Sequence, residues 1–118
     1  MGAGAVATLA ALSDEAVRDI LARNAAWRSE HYPRCTDAAI LALVSETRAR
    51  GYCVNPGLVL ESAWAVGVPV YDANGRTVGS VSIAAIEQRL GPARAAQLGN
   101  RLMQASEALT RMLAAGGA

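Results

Sequence analysis

Apolar residues recur along the chain first at helical spacing, then at alternate positions, then at helical spacing again, which predicts the order α, α, α, β, β, β, α. Ser13 reads as an N-cap, with Asp14 and Glu15 in the positive first turn and Val17, Ile20 and Leu21 on one apolar face. That helix is expected to stop near Asn24, leaving His31, Tyr32 and Pro33 in a loop. Thr36-Asp37 repeats the start signal. Ile40, Leu43, Val44 and Thr47 share a face, Glu46 is placed to pair with Arg50, and Gly51 supplies a left-handed stop. A short strand, Tyr52 to Val54, should follow.

The stretch from Ala63 to Tyr71 alternates and runs into Asp72-Ala73-Asn74-Gly75, a hairpin-turn signal, so Arg76 to about Ile86 is the returning strand. With Asn74-Gly75 as a two-residue loop, Ala65 faces Ala84, Gly67 faces Ser82 and Pro69 faces Ser80, which gives one sheet face only small residues. The other face collects Trp64, Val66, Val68, Val70, Val81 and Ile83 and is suited to packing helices. A four-residue loop keeps these faces, whereas a three-residue loop reverses one strand. The last helix opens at Pro92, carries Ala95, Leu98, Leu102, Ala105, Leu109 and Met112 at spacings of three and four, and ends at Gly116-Gly117. Packing of that stripe on the valine-rich face accounts for it without a partner, the alternative being a helix-mediated subunit contact.

Composition narrows the picture. A chain of 118 residues, 53% hydrophobic and 18% charged, builds one core and therefore one domain. Aromatic residues are only 4% and Phe is absent, so Ala, Val, Ile and Leu must fill the interior and the layers must approach closely. The net charge is +1 and the 11 basic residues are spread along the chain, unlike the basic face of a nucleic-acid-binding domain. Cys35 and Cys53 lack CxxC spacing and read as free thiols. The apolar opening has no basic residue ahead of it, and no stretch is long enough to span a bilayer, so the expected location is cytoplasmic.

Catalytic templates fare poorly. There is no Gly-x-Ser-x-Gly elbow, and Glu30-His31 lacks the second histidine of a zinc motif. Asp72 starts a turn, and Glu61 has no carboxylate partner in the pattern. The expectation is a non-enzyme without metal or cofactor.

Three runs in fixed order carry a resemblance: Arg50-Gly51-Tyr52-Cys53-Val54-Asn55, then Gly67 through Arg76, then Val81-Ser82-Ile83-Ala84-Ala85. Together with the opening Gly2-Ala3-Gly4-Ala5 and the Leu12-Ser13-Asp14-Glu15 helix start, they resemble the C-terminal effector-binding domain of IclR-family transcriptional regulators. The likeness runs nearly end to end. It implies an α/β (α+β), profilin-like or GAF-like domain whose curved antiparallel sheet, flanked by helices, cups a small-molecule effector. It also implies a homodimer or homotetramer that couples ligand binding to DNA binding by a winged helix-turn-helix. Residues 1–118 then correspond to a partial effector domain, truncated on its N-terminal side, with the helix-turn-helix outside the chain, no direct nucleic-acid contact and an open sheet edge.

Carried over by position, the family's pocket falls on Gly2, Ala3, Asn55, Ala65, Ser82 and Ala84. Asn55 stands where a carboxylate is common, and Ala65 and Ala84 stand where a thiol and a hydroxyl are common, so the implied cavity is more apolar and suits an aromatic or apolar organic acid better than a small keto acid. Two plainer readings stand beside this. Ser82 satisfies strand backbone, or Asn55-Pro56-Gly57 is turn chemistry. The alternative function is a degenerate domain without ligand that acts only in dimerisation, with the cavity filled by Tyr52 or Tyr71.

Overall fold

A computed structural model describes residues 2–58 and 63–116 of the chain; Glu61 and Gly117 lie outside them. The elements are α1 (Ala3–Ala10), α2 (Asp14–Arg23), α3 (Ala25–His31), α4 (Asp37–Arg50), β1 (Cys53–Pro56), β2 (Ala63–Tyr71), β3 (Thr77–Ile86), a 3-10 turn at Glu87–Arg89, and α5 (Pro92–Ala115). Both predicted caps form: the Ser13 hydroxyl accepts from the Ala16 N–H at 3.2 Å and the Thr36 hydroxyl from the Ala39 N–H at 3.1 Å. Gly51 closes α4 at φ 92°.

Helix α3 replaces the predicted loop. Asn24 breaks the run with φ −102° and ψ 7°, but its carbonyl accepts from the Arg28 N–H at 2.9 Å and starts a second helix at once. Ala25-Ala26 supply the propensity. His31 is therefore an exposed residue in the last turn of a short helix, where its ring stacks on Trp27 at 4.7 Å and Nδ1 donates to the Trp27 carbonyl at 2.8 Å.

The sheet is antiparallel in the order β1-β2-β3, with β2 central. The predicted pairs Ala65↔Ala84, Gly67↔Ser82 and Pro69↔Ser80 are all present. The loop that makes them is different. Asp72 N–H donates to the Arg76 carbonyl at 2.8 Å, which leaves three loop residues, with Gly75 at φ 80°. A three-residue loop alone reverses the strand, yet a bulge opposite Val70/Tyr71 lets Val78 pass unpaired and restores the register. Strand β1 begins one residue later and ends two residues later than predicted, because Val54, Asn55 and Pro56 continue pairing with Val66, Ala65 and Trp64.

The small-residue face is covered by α1, with α4 beside it. A Cβ on Gly67 would lie 2.7 Å from the Ala3 carbonyl carbon and 2.8 Å from its oxygen, so the α1 backbone rests directly on the central strand. Val6, Ala7, Leu9, Val17, Ile40, Val44 and Cys53 form the core on this side. On the other face α5 packs over Val66 and Val68, with Leu90, Ala95 and Leu102 buried between. Helix α5 is rotated from the predicted stripe: Gly99 and Ser106 are buried, while Ala105 and Met112 are exposed. Polar contacts set that rotation, since Ser106 and Thr110 donate to the Pro69 and Tyr71 carbonyls at 2.6 and 2.8 Å, and Gly99 makes room for the Tyr52 ring.

Replacing Gly67 with Ala forces α1 off the sheet and should cost about 1–3 kcal/mol in urea unfolding. Gly79→Ala, whose Cβ meets nothing within 4 Å, should be neutral or slightly stabilising. Equal effects at the two positions would contradict the close approach of α1.

Candidate functional site

The helical layer is fastened by two arginines whose forks bind chain carbonyls. Arg48 on α4 donates from Nε to the Ala10 carbonyl at 3.0 Å and from Nη2 to the Leu12 carbonyl at 2.7 Å, and it pairs with Asp14, clamping the α1–α2 turn. The Arg48 hydrogen bond and charge hold the Asp14 carboxyl below its ordinary range. Arg28 on α3 is only 5% exposed. Its Nε donates to Asn24 Oδ1 at 3.0 Å, Nη1 to the Cys35 carbonyl at 2.7 Å, and Nη2 to the Leu21 carbonyl at 3.0 Å and to Asp37 Oδ1 at 2.6 Å. One buried guanidinium thereby ties α2, α3 and the start of α4 together.

Beside this clamp, between α3 and the β1–β2 end of the sheet, opens a cavity of about 580 Å³. Gly2 and Ala5 of the α1 segment line it, with Asn24, Trp27, Arg28 and Tyr32 on the α3 side and Asn55, Ala63, Trp64, Ala65 and Ala84 on the sheet side. Arg28 is the one charged residue among those named, and four of its hydrogen-bonding contacts already go to protein acceptors. The volume is in the range of small-molecule pockets, and the lining is chiefly apolar.

Of the six residues expected at a pocket, Gly2, Asn55, Ala65 and Ala84 come together here, and two do not. Ala3, the first residue of α1, is buried against the sheet, where its carbonyl seats the helix on Gly67. Ser82 is exposed and lies farther along β3, where its hydroxyl is 3.5 Å from a Cβ built on Gly4. The middle of the small-residue face is therefore occupied by α1, and this cavity lies at the Ala65/Ala84 end of it. Asn55 serves the turn as well: its Oδ1 accepts from the Leu58 N–H at 3.0 Å, with Gly57 at φ 88°. Tyr52 and Tyr71 lie away from this cavity. Tyr52 packs against α5, and Tyr71 lines a second cleft of about 520 Å³ between α5 and the hairpin.

The α3 contribution was missed because the loop expectation hid it. The signal was present: Asn24/Arg28 and Trp27/His31 are pairs at i and i+4, and they lie together only on a helix.

Among the described residues, no group of three His, Cys, Asp or Glu is arranged to hold a metal. Burial pushes the Cys53 thiol from its ordinary 9.0 up to about 11, against a smaller opposing effect of the Thr47 hydrogen bond, so it is protonated and a poor nucleophile near neutrality. Among the described residues, no helix is long and apolar enough to cross a membrane.

The family model described as bacterial transcriptional regulator IclR C-terminal matches residues 1–111. The chain belongs to this IclR C-terminal family. No curated protein matches the sequence. Among solved structures, the Agobacterium tumefaciens repressor BlcR is similar at 21% identity and TM-score 0.78, over 94% of this chain and 45% of BlcR. Thermotoga maritima IclR is similar at 21% identity and TM-score 0.77, over 95% of this chain and 45% of its own. An IclR-family regulator from Brucella abortus has 17% identity and TM-score 0.79, over 95% and 42%. These likenesses carry the mixed α+β fold expected of an IclR C-terminal domain, and the chain spans less than half the length of each of these three. By name, BlcR is a repressor and the Brucella abortus protein an IclR-family transcriptional regulator.

Two measurements probe this region. Arg28→Ala leaves the Leu21 and Cys35 carbonyls without their donor and should lower stability by about 3 kcal/mol in urea unfolding, with Arg28→Lys recovering only part because an ammonium has no fork. For Cys53, the folded chain keeps the proton between pH 9 and 11 while the unfolded chain releases it. Stability should therefore be full below pH 9 and fall across that window by up to ~2–3 kcal/mol. Cys53→Ala should lack that slope.

Proposed function

We propose that this chain is the effector-binding and oligomerisation part of an IclR-type regulator, which couples ligand occupancy to DNA binding by a winged helix-turn-helix lying outside these 118 residues. The supporting observation is the open cavity at the α3 end of the sheet, into which four of the six expected pocket residues converge. Among the described residues the lining has one cation, no acid and many apolar groups, which favours an aromatic or apolar small molecule and tolerates a single carboxylate. Occupancy has a physical route to the rest of the domain, because Arg28 lines the cavity and also binds carbonyls on α2 and ahead of α4. The rival reading, a dimerisation module without ligand, requires the cavity to be filled, and neither Tyr52 nor Tyr71 enters it.

A ligand that binds only the folded chain stabilises it by about 2.7 kcal/mol at a hundredfold excess over Kd, a rise of several degrees in Tm. A thermal-shift screen of aromatic and short-chain acids should find such a compound. Ala84→Leu intrudes on the cavity and should abolish the shift, while exposed Arg94→Ala should retain it. A full shift in a folded Ala84→Leu variant would place the sensing site elsewhere.

A further inference from the structure

The chain holds two Trp, three Tyr and no Phe, and its interior is filled chiefly by Ala, Val, Ile and Leu. Trp27 joins neither side of that core: it belongs to no buried cluster and is 56% exposed. Nor does α3 gain from it as a helix, since leucine or alanine has the higher propensity. The largest side chain of this short helix therefore stands where neither burial nor backbone preference calls for it.

Its ring is nevertheless held in place. His31, one turn along α3, stacks on the indole with centroids 4.7 Å and planes 24° apart, and the Tyr32 ring meets it edge-on at 5.4 Å and 62°. Both arrangements are favourable ring pairs. The His31 ring is itself anchored by its Nδ1 bond to the Trp27 carbonyl. An indole fixed in this way has less rotamer freedom left to lose when a ligand meets it. Trp27 and Tyr32 line the cavity from the α3 side, and the sheet-side wall includes Ala63, Ala65 and Ala84, whose side chains end at Cβ. Rings on one wall and methyl groups on the other suit a flat molecule.

We propose that Trp27 is the specificity-determining residue of this cavity: its indole is a stacking platform that selects a ligand carrying a planar aromatic ring over one whose ring is saturated. The inference rests on the effector-binding reading of the cavity and deepens it. Apolar area alone does not separate a flat ring from a saturated one of the same carbon skeleton, whereas the π face of an indole does. A purely structural role for Trp27, in which its contact with His31 only steadies α3, would alter stability and leave ring preference unmoved.

Two acids that differ only in the ring test it. By titration calorimetry, Trp27→Leu should weaken the binding of cinnamate by about 2- to 10-fold, the range of one aromatic pair, and leave the binding of its ring-saturated counterpart, cyclohexylacrylate, unchanged. Trp27→Phe, which keeps a π face, should retain most of the preference for cinnamate. Trp27 is exposed and leucine is the better helix former, so both variants should fold, which urea unfolding checks. Equal losses for the two acids in Trp27→Leu, or no loss for either, overturn the platform and leave the effector-binding reading standing. Failure of the wild type to bind cinnamate also overturns the platform, while the thermal-shift screen still decides whether the cavity takes a ligand. Full cinnamate binding by a folded Ala84→Leu variant places the acid outside this cavity and overturns both.

Discussion

Everything in this domain is arranged around the contact between the α1 backbone and Gly67. The central strand has no side chain at the point where the helix crosses it, and the Ala3 carbonyl fills the space a Cβ would take. That approach explains the small residues to either side: Pro69 and Ser80 beyond Gly67, Ser82 beside it, and Gly4 on the helix over the two serines. Raising α1 by the thickness of one methyl would open gaps around Val6, Ala7 and Cys53, which are essentially fully buried. It also places the cavity, because the helix takes the middle of the face and leaves the Ala65/Ala84 end open.

A core built from small side chains gives each helix little apolar area to hold it, and the helical layer answers with fixed polar contacts. Arg28 and Arg48 reach carbonyls at helix ends and in the turns between helices, groups that helix geometry leaves without partners. On the opposite face Ser106 and Thr110 do the same for the carbonyls of β2. Such bonds are directional, so they set the position and rotation of a helix more sharply than a valine-rich surface can. Helix α5 shows the result, since its buried line follows the hydroxyls and Gly99 and departs from the most regular apolar stripe.

The same economy shapes the chemistry of the cavity. Among the described residues that line it, Arg28 is the one cation and is occupied in holding helices, and the sheet-side wall includes Ala63, Ala65 and Ala84. The buried thiol of Cys53 is raised away from reactivity. Shape and apolar area, more than charge, therefore distinguish the described lining of this cavity.

Local rules were sufficient for much of this fold. The caps at Ser13 and Thr36, the stop at Gly51, the start of α5 at Pro92 and the alternation from Ala63 to Ile86 each depend on residues within a few positions of one another, and each is present. The pairing of Ala65 with Ala84 was legible too, although through a wrong loop: the turn is three residues long, and the bulge at Val78 compensates. What the sequence could not decide were distances between elements. Nothing near Ser82 reveals that α1 takes the space beside it, nothing in the α5 repeat ranks Ser106 above Ala105, and nothing at Arg28 announces acceptors at Leu21 and Cys35. Propensity, capping and register are settled within a turn or along a strand, whereas a cavity is what remains after distant surfaces have closed, and only the assembled structure determines where they fail to meet.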